Sequence, residues 1–385
     1  MHTLYGTPLS LYTGKARSYL IKQGIAYREI TPTTTHFRDQ VRPHAGGQTI
    51  PVLETADGEV IRDSTAIIDF FEARSERASG PVPGQVAESL GPRREFVARL
   101  LDVIGAEGLM RPAMHYRWNY PQENATFLAF HFRTLVPAGM DAVALADKTM
   151  ERMQNAGRAF GATKESFNLV EELYLEFLFL LNEHLRDSPY LLGYQPTVAD
   201  YGMIAPLYAH LGRDPKPLAI MQQRAVHVFR WVERMNRPEP DIGEFPALSA
   251  EALQDRQLAD EIPETLINLL QHVARDFVPE TLAACQLINN WLVVEQPAAQ
   301  LALERGVGMC EFAINGQSVK ALAQPYRFYL LARAQQVYDQ SSEMAQADMM
   351  ALTDRCGLTP LLAARLSRSI GRNNNQEVWL AANLP

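Results

Sequence analysis

The sequence predicts an α+β protein: an N-terminal βαβ–ββα domain, then an all-helical domain, then a mainly helical C-terminal extension with one β-hairpin. Three observations lead there. Short β-rich runs are confined to the chain ahead of a Pro/Gly-rich stretch at 75–92. Behind that stretch the apolar spacing is helical for about 150 residues. Near the end, Asn315-Gly316 sits between two alternating runs, which favours a type I′ turn. A chain of 385 residues also exceeds one comfortable core. The expected domains are 1–80, 90–240 and 250–385, with the hairpin at 309–322 and a second linker at 236–246.

The elements follow in order. Residues 3–6 are β-rich, and 14–23 read as a helix that Gly24 closes, with Ile25 as the hydrophobic contact beyond it. Residues 26–30 form a second strand, and the short crossover makes it parallel to the first. The polar stretch 32–49 reads as loop with one irregular helix. Two apolar runs at 50–54 and 59–62 flank Asp57-Gly58, a hairpin signal, and a helix spans 64–74 with Ile67, Ile68 and Phe71 on its apolar stripe. In the second domain, residues 164–186 carry a long apolar stripe. Thr197 and Asp200 have capping-box spacing at the start of a buried helix. Helices resume from Pro325.

Composition narrows the function classes. Hydrophobic residues are 47% and charged residues 21%, an ordinary globular balance, and a net charge of −8 argues against a nucleic-acid surface. The start of the chain lacks the basic and apolar segments of a signal peptide, and no apolar run reaches membrane-span length. Cys285, Cys310 and Cys356 are far apart, with no metal-ligand spacing. They read as buried free thiols in a reducing compartment, so the expected location is cytoplasmic. No metal, membrane or nucleic-acid partner is expected.

Three local features carry chemistry. Ile50-Pro51 begins a strand, where a proline without an N–H is tolerated. A cis bond there exposes the Ile50 backbone to a peptide-like ligand pairing as an added strand. Asp63-Ser64 precedes a helix whose free N–H groups and dipole favour an anion. A bound carboxylate would accept from the Ser64 hydroxyl and backbone, and Asp63 would pair with a ligand ammonium. Ser10 lies in the loop before the first helix, where a hydroxyl can donate to a thiolate.

These residues, in this order, resemble the glutathione transferase family. The resemblance lies in Leu4-Tyr5-Gly6-Thr7-Pro8-Leu9-Ser10-Leu11-Tyr12, Gly24-Ile25-Ala26-Tyr27, Thr49-Ile50-Pro51-Val52-Leu53, Asp63-Ser64-Thr65-Ala66, and Gly193 with Pro196-Thr197-Val198-Ala199-Asp200. It covers residues 1–240. It implies a thioredoxin-like first domain that binds glutathione as co-substrate, and a homodimer. It places Ser10 where serine-type members keep the hydroxyl that stabilises the glutathione thiolate. Tyr5 and Tyr12 are rival hydroxyls. Ile50 would hold the cysteinyl part through its backbone, with Pro51 cis and with Gln48 and Thr49 just before it. Asp63 and Ser64 would hold the γ-glutamyl end. Many relatives carry Glu or Gln where Asp63 stands, and residues 250–385 have no counterpart in an ordinary two-domain member.

The expected activity is thiolate stabilisation followed by transfer of glutathione to a small electrophile. The run at 110–120, rich in aromatics, Met and Arg, falls where the electrophile pocket is expected, with a packed helix junction as the other reading. The alternative function is a non-catalytic glutathione-binding or protein-interaction scaffold whose extension docks a partner. Mixed-disulfide reduction is disfavoured because position 10 is not a cysteine.

Overall fold

The computed structural model describes residues 1–74, 90–238, 244–245 and 260–381, so most of the two expected linkers lies outside the described residues. β1 (His2–Tyr5) leads into α1 (Leu11–Lys22) and returns as β2 (Tyr27–Ile30). With only one short helix as crossover, β2 lies parallel to β1, Tyr5 opposite Ile30. β3 (Val52–Glu54) and β4 (Val60–Arg62) add antiparallel, giving the order β2-β1-β3-β4. The stretch between β2 and β3 forms a π-helical turn at Phe37–Val41 and a 3-10 turn at Arg42–His44. α2 (Ser64–Arg74) follows β4 directly.

Side-chain alternation gives the sheet two faces. Leu4, Leu53 and Ile61 join the main core with Leu20, Ile67 and Phe71 from α1 and α2. Tyr5 and Val52 point the other way, into a small cluster with Phe37, Val41 and Ala45.

The second part opens with α3 (Pro92–Val103), a π-helical turn at Ile104–Gly108 and α4 (Met110–Trp118). α5 (Pro121–Arg133), α6 (Ala142–Ala159) and α7 (Phe167–Arg186) follow, then α8 (Val198–Ala209), α9 (Pro215–Arg224) and α10 (Val226–Met235). Thr197 and Asp200 form the capping box of α8. Buried Asp200 also accepts from the Leu191 N–H (3.0 Å) and Trp231 Nε1 (3.1 Å), so its role is to organise packing. The chain at 104–108 crosses α8 glycine against glycine. A Cβ on Gly105 would lie 2.5 Å from the Gly202 carbonyl carbon, and one on Gly202 would lie 2.4 Å from Asp102 Cα.

The extension packs onto both parts. Its long helix α11 (Glu264–Glu295) supplies Asp276 and Glu280 to Arg111 of α4, each at 2.5 Å. The hairpin β5 (Met309–Ile314)–β6 (Gln317–Leu322) turns at Asn315 and Gly316, both with positive φ as a type I′ turn requires. α12 (Pro325–Gln340) lies across α2 and α3 through Arg333–Asp69 (2.6 Å) and the Phe96–Tyr338 ring contact. α13 (Glu343–Cys356) and α14 (Pro360–Ala363) lead to a second hairpin absent from the sequence reading, β7 (Ile370–Asn373)–β8 (Gln376–Trp379). It turns at Asn374 and Asn375, also at positive φ.

The second hairpin docks against β4. The Arg62 N–H donates to Asn375 Oδ1 (3.2 Å), Arg62 Nε to the Asn375 carbonyl (2.8 Å), and Asn375 Nδ2 to the Val60 carbonyl (2.7 Å). The three cysteines are free and buried. Burial pushes each thiol up, Cys356 to about 11. Among the described residues no helix is long and apolar enough to cross a membrane.

Candidate functional site

The start of β3 and the start of α2 are tied together. The Asp63 N–H donates to the Pro51 carbonyl at 3.1 Å. The Ile50–Pro51 bond is cis, and the Ile50 backbone makes no hydrogen bond among the described residues. Asp63 sits at φ +84°, a left-handed conformation that Asp tolerates better than most residues. Its Oδ1 accepts from the Thr65 N–H (2.8 Å) and so satisfies one donor of the α2 N-terminus.

Ser64 is the first residue of α2 and is 1% exposed, and its hydroxyl has no partner among the described residues. A buried polar atom left unmatched costs about 1–3 kcal/mol. Below it, Lys15 Nζ donates to Thr65 Oγ1 (3.1 Å) and pairs with Asp102 (2.6 Å), which locks α1, α2 and α3 together. Above it, the Tyr326 hydroxyl from the extension donates to Asp63 Oδ1 (3.0 Å). Gln48 and Thr49 are exposed on the rim, and Arg62 NH1 donates to Thr49 Oγ1 (2.9 Å).

Ser10 caps α1. Its Oγ accepts from the Thr13 N–H at 3.2 Å, while its own proton has no acceptor among the described residues. The cap is why the helix starts at Leu11 and not near residue 14. Arg117 NH1 holds the loop ahead of it through the Leu9 carbonyl (3.0 Å).

The rival hydroxyls separate. Tyr12 donates to Glu107 Oε1 (2.8 Å) in the π-helical turn at 104–108. Burial, then Glu107, hold its hydroxyl far above the usual tyrosine range. Tyr5 lies on the opposite face of the sheet, fully buried, and donates to Glu54 Oε2 (2.8 Å). The structure thus sets Ser10 as the cap of the helix that carries Tyr12, brings Pro51, Asp63 and Ser64 together where β3 and α2 begin with Ile50 just ahead of them, and leaves Tyr5 outside both.

The run at 110–120 lines two clefts that share no residue with Ile50, Pro51, Asp63 or Ser64. Arg111 is consumed by Asp276 and Glu280, Arg117 by Asp214 (2.6 Å), and His115 is fully buried. Met114, Trp118 and Asn119 line a separate surface cleft with Arg158 and Lys164.

Two site residues escape sequence reasoning. Tyr326 comes from 263 positions beyond Asp63, and no local pattern announces it. Glu107 had a faint signal, being an isolated acid in the small-residue run Ile104-Gly105-Ala106-Glu107-Gly108.

Two family profiles match the chain: glutathione S-transferase, N-terminal domain, over residues 4–79, and glutathione S-transferase, C-terminal domain, over residues 134–239. No curated protein matches it. Among solved structures, the chain is similar to a glutathione S-transferase from Rhodospirillum rubrum F11, at 18% identity, 64% of this chain, 90% of that one and a TM-score of 0.36. It is also similar to glutathione transferase F2 from Populus trichocarpa, at 15% identity, 67% and 100% coverage and a TM-score of 0.34. A third is a Gtt2-class glutathione S-transferase of Vibrio parahaemolyticus, at 16% identity, 65% and 99% coverage and a TM-score of 0.31. These overlays are loose, and the two domain profiles are what bear on kinship.

Proposed function

This chain belongs to the glutathione S-transferase family, with both of its domains represented, and from that premise we propose that it binds glutathione in the groove between Ile50 and α2 and transfers it to a small electrophile. The observation that carries the reading is the buried Ser64 hydroxyl at the N-terminus of α2, unmatched among the described residues and next to Asp63, whose backbone N–H donates to the Pro51 carbonyl at the start of β3. A γ-glutamyl carboxylate would supply the acceptor Ser64 lacks and sit against the positive end of α2. The free N–H and C=O of Ile50 suit the cysteinyl backbone. The thiol would then lie toward the N-terminus of α1.

Ser10 can serve there without losing its cap. Its lone pair takes the Thr13 N–H while its proton stays available to a thiolate. A hydroxyl donor and a helix N-terminus both favour the anion, so the reactive fraction of bound thiol rises near neutral pH. The homodimer and the reducing compartment belong to the same proposal, and light scattering reads the former.

The test is a calorimetric titration of glutathione into the full chain and into Ser64→Ala, followed by a panel of electrophiles. Loss of the Ser64 donor should weaken binding by about tenfold, the worth of a hydrogen bond to a charged group. Absence of glutathione binding at millimolar concentration overturns the reading. The Tyr326–Asp63 bond favours a second one, a binding-only scaffold in which the extension closes the groove. Glutathione bound with no turnover on any electrophile would establish that alternative.

A further inference from the structure

Glu107 is 2% exposed and lies where the rod formed by α3 and α4 gains a residue as a π-helical turn. Such turns interrupt the helical ladder at a cost, and they recur at functional sites. This one is pinned on both sides. Gly105 abuts Gly202 of α8, and a Cβ on Gly108 would lie 2.8 Å from the Phe277 ring of α11. The turn therefore has no freedom to withdraw the side chain it presents. One carboxyl oxygen accepts from the Tyr12 hydroxyl at 2.8 Å, and the other is buried without a partner among the described residues. A structural acid would be expected to have both oxygens matched.

The charged and titratable neighbours come from four elements. They are Tyr12 on α1, Asp63 ahead of α2, Arg305 ahead of β5, and Tyr326 and Arg327 on α12. Arg327 NH2 also reaches the Glu107 carbonyl (3.4 Å). Asp63 belongs to the proposed glutathione groove, and Ser10 caps the helix that carries Tyr12. Tyr12 thus links Glu107 to the helix whose N-terminus the bound thiol would face.

We propose that Glu107 is the terminal acceptor of the glutathione thiol proton, reached through the Tyr12 hydroxyl. The inference rests on the reading that glutathione binds in this groove. The thiol S–H bond breaks and its proton passes to Tyr12 Oη, while the Tyr12 O–H proton passes to Glu107 Oε1. The negative charge moves from the carboxylate to sulfur, and no oxidant or reductant takes part. The new carboxylic O–H then donates back to Tyr12 Oη, and the proton now on Tyr12 points at the thiolate. One hydrogen bond, reversed, serves first to accept the proton and then to hold the anion. After transfer, the proton returns through Tyr12 to the leaving group or to water.

The electrostatics agree with this geometry. Burial is the largest influence and, with Asp63, pushes the Glu107 carboxyl up, while the Tyr12 bond, Arg327 and Arg305 pull it down; the outcome is about 7. An acceptor poised near the working pH suits a thiol whose ordinary value is about 8.5. Glu107 acts through Tyr12, so it is a positioning residue, and its test needs a readout that folding alone would not move.

That readout is the ultraviolet absorbance of the bound thiolate against pH, measured on the full chain and on Glu107→Gln, alongside the pH profile of kcat/KM with an aryl halide. Glutamine can still accept from Tyr12 but cannot take the proton. The expected variant binds glutathione within about threefold of the parent, its thiolate midpoint rises by about one pH unit, and kcat/KM at neutral pH falls about tenfold. Glu107→Asp restores part of the shift. If Glu107→Gln fails to fold, Tyr12→Phe removes the relay from the other end and should raise the midpoint likewise. Glutathione bound with an unshifted midpoint in the variant that folds overturns the relay and leaves the site standing. No glutathione binding by the parent chain overturns both.

Discussion

The hydroxyl of Tyr326 donates to Asp63 Oδ1 at 3.0 Å and joins residues 263 positions apart. The acid expected to meet a ligand ammonium already holds a donor from the chain's own extension. Tyr326 and the ligand therefore compete for Oδ1, while Oδ2 has no partner among the described residues. Tyr326→Phe keeps the ring and removes the competing donor. It should lower stability by about 1 kcal/mol, the net worth of one hydrogen bond, and raise glutathione affinity a few-fold. Urea unfolding and calorimetry measure the two effects, and weaker binding would contradict the competition.

Ser10 has two duties that one substitution separates by size. Ser10→Ala removes the cap on α1, which costs about 1 kcal/mol. It also removes the proton offered to the thiolate. Turnover should fall by at least about tenfold while glutathione affinity changes little, because the donor is needed by the anion and not by the bound thiol. Steady-state kinetics set beside calorimetry reads the split.

The local signals were legible, and the distant ones were not. Asp57-Gly58, Asn315-Gly316 and the Thr197–Asp200 box each fix a short segment by their own chemistry, and the structure has them as read. Asn374-Asn375 makes the same kind of turn, but a pair of asparagines is a weaker signal than Asn-Gly, and the second hairpin went unread. The run at 110–120, rich in aromatics, Met and Arg, reads either as an electrophile pocket or as a packed helix junction, because the partners of Arg111 and Arg117 (Asp276, Glu280 and Asp214) lie about a hundred or more positions away. Period-two alternation sets Tyr5 opposite Leu4, but which face meets α1 is decided by packing that sequence spacing does not contain.

The Lys15–Asp102 pair is nearly sealed from water, with side-chain exposures of 1% and 5%. Removing one partner leaves the other charge buried and uncompensated. Lys15→Met should therefore destabilise the chain by about 3–5 kcal/mol, and Lys15→Met with Asp102→Leu by much less. Urea midpoints of the single and double variants measure the difference. Equal losses would mean that packing, not charge, dominates this junction.

Gly105 faces backbone and not a side chain that can swing aside. Gly105→Ala forces α3 and α8 apart or unwinds the π-helical turn, at a cost of about 1–3 kcal/mol. Either response displaces Glu107 from Tyr12, so the variant should also carry the raised thiolate midpoint expected of Glu107→Gln. Thermal unfolding and the thiolate titration check both, and a destabilised variant with an unshifted midpoint would show that the turn holds its place without the glycine contact.

Glu107 also makes stability depend on pH in an unusual direction. Its carboxyl rises from the ordinary 4.5 to about 7 on folding, chiefly through burial, so the folded chain holds this proton more tightly than the unfolded one. The stability it contributes is fully present below the unfolded value, falls as pH climbs, and is gone once pH passes about 7. A shift of this size corresponds to at most about 3 kcal/mol between those limits. Other carboxyls titrate over the same range, and Asp214, also raised by burial, adds to the same slope. The difference between parent and Glu107→Gln isolates the one group. Urea unfolding at pH 5 and pH 8 should show the parent losing more stability than the variant as pH rises. Parallel pH dependence in the two chains would mean that Glu107 stays ionised when folded and cannot act as the acceptor behind Tyr12.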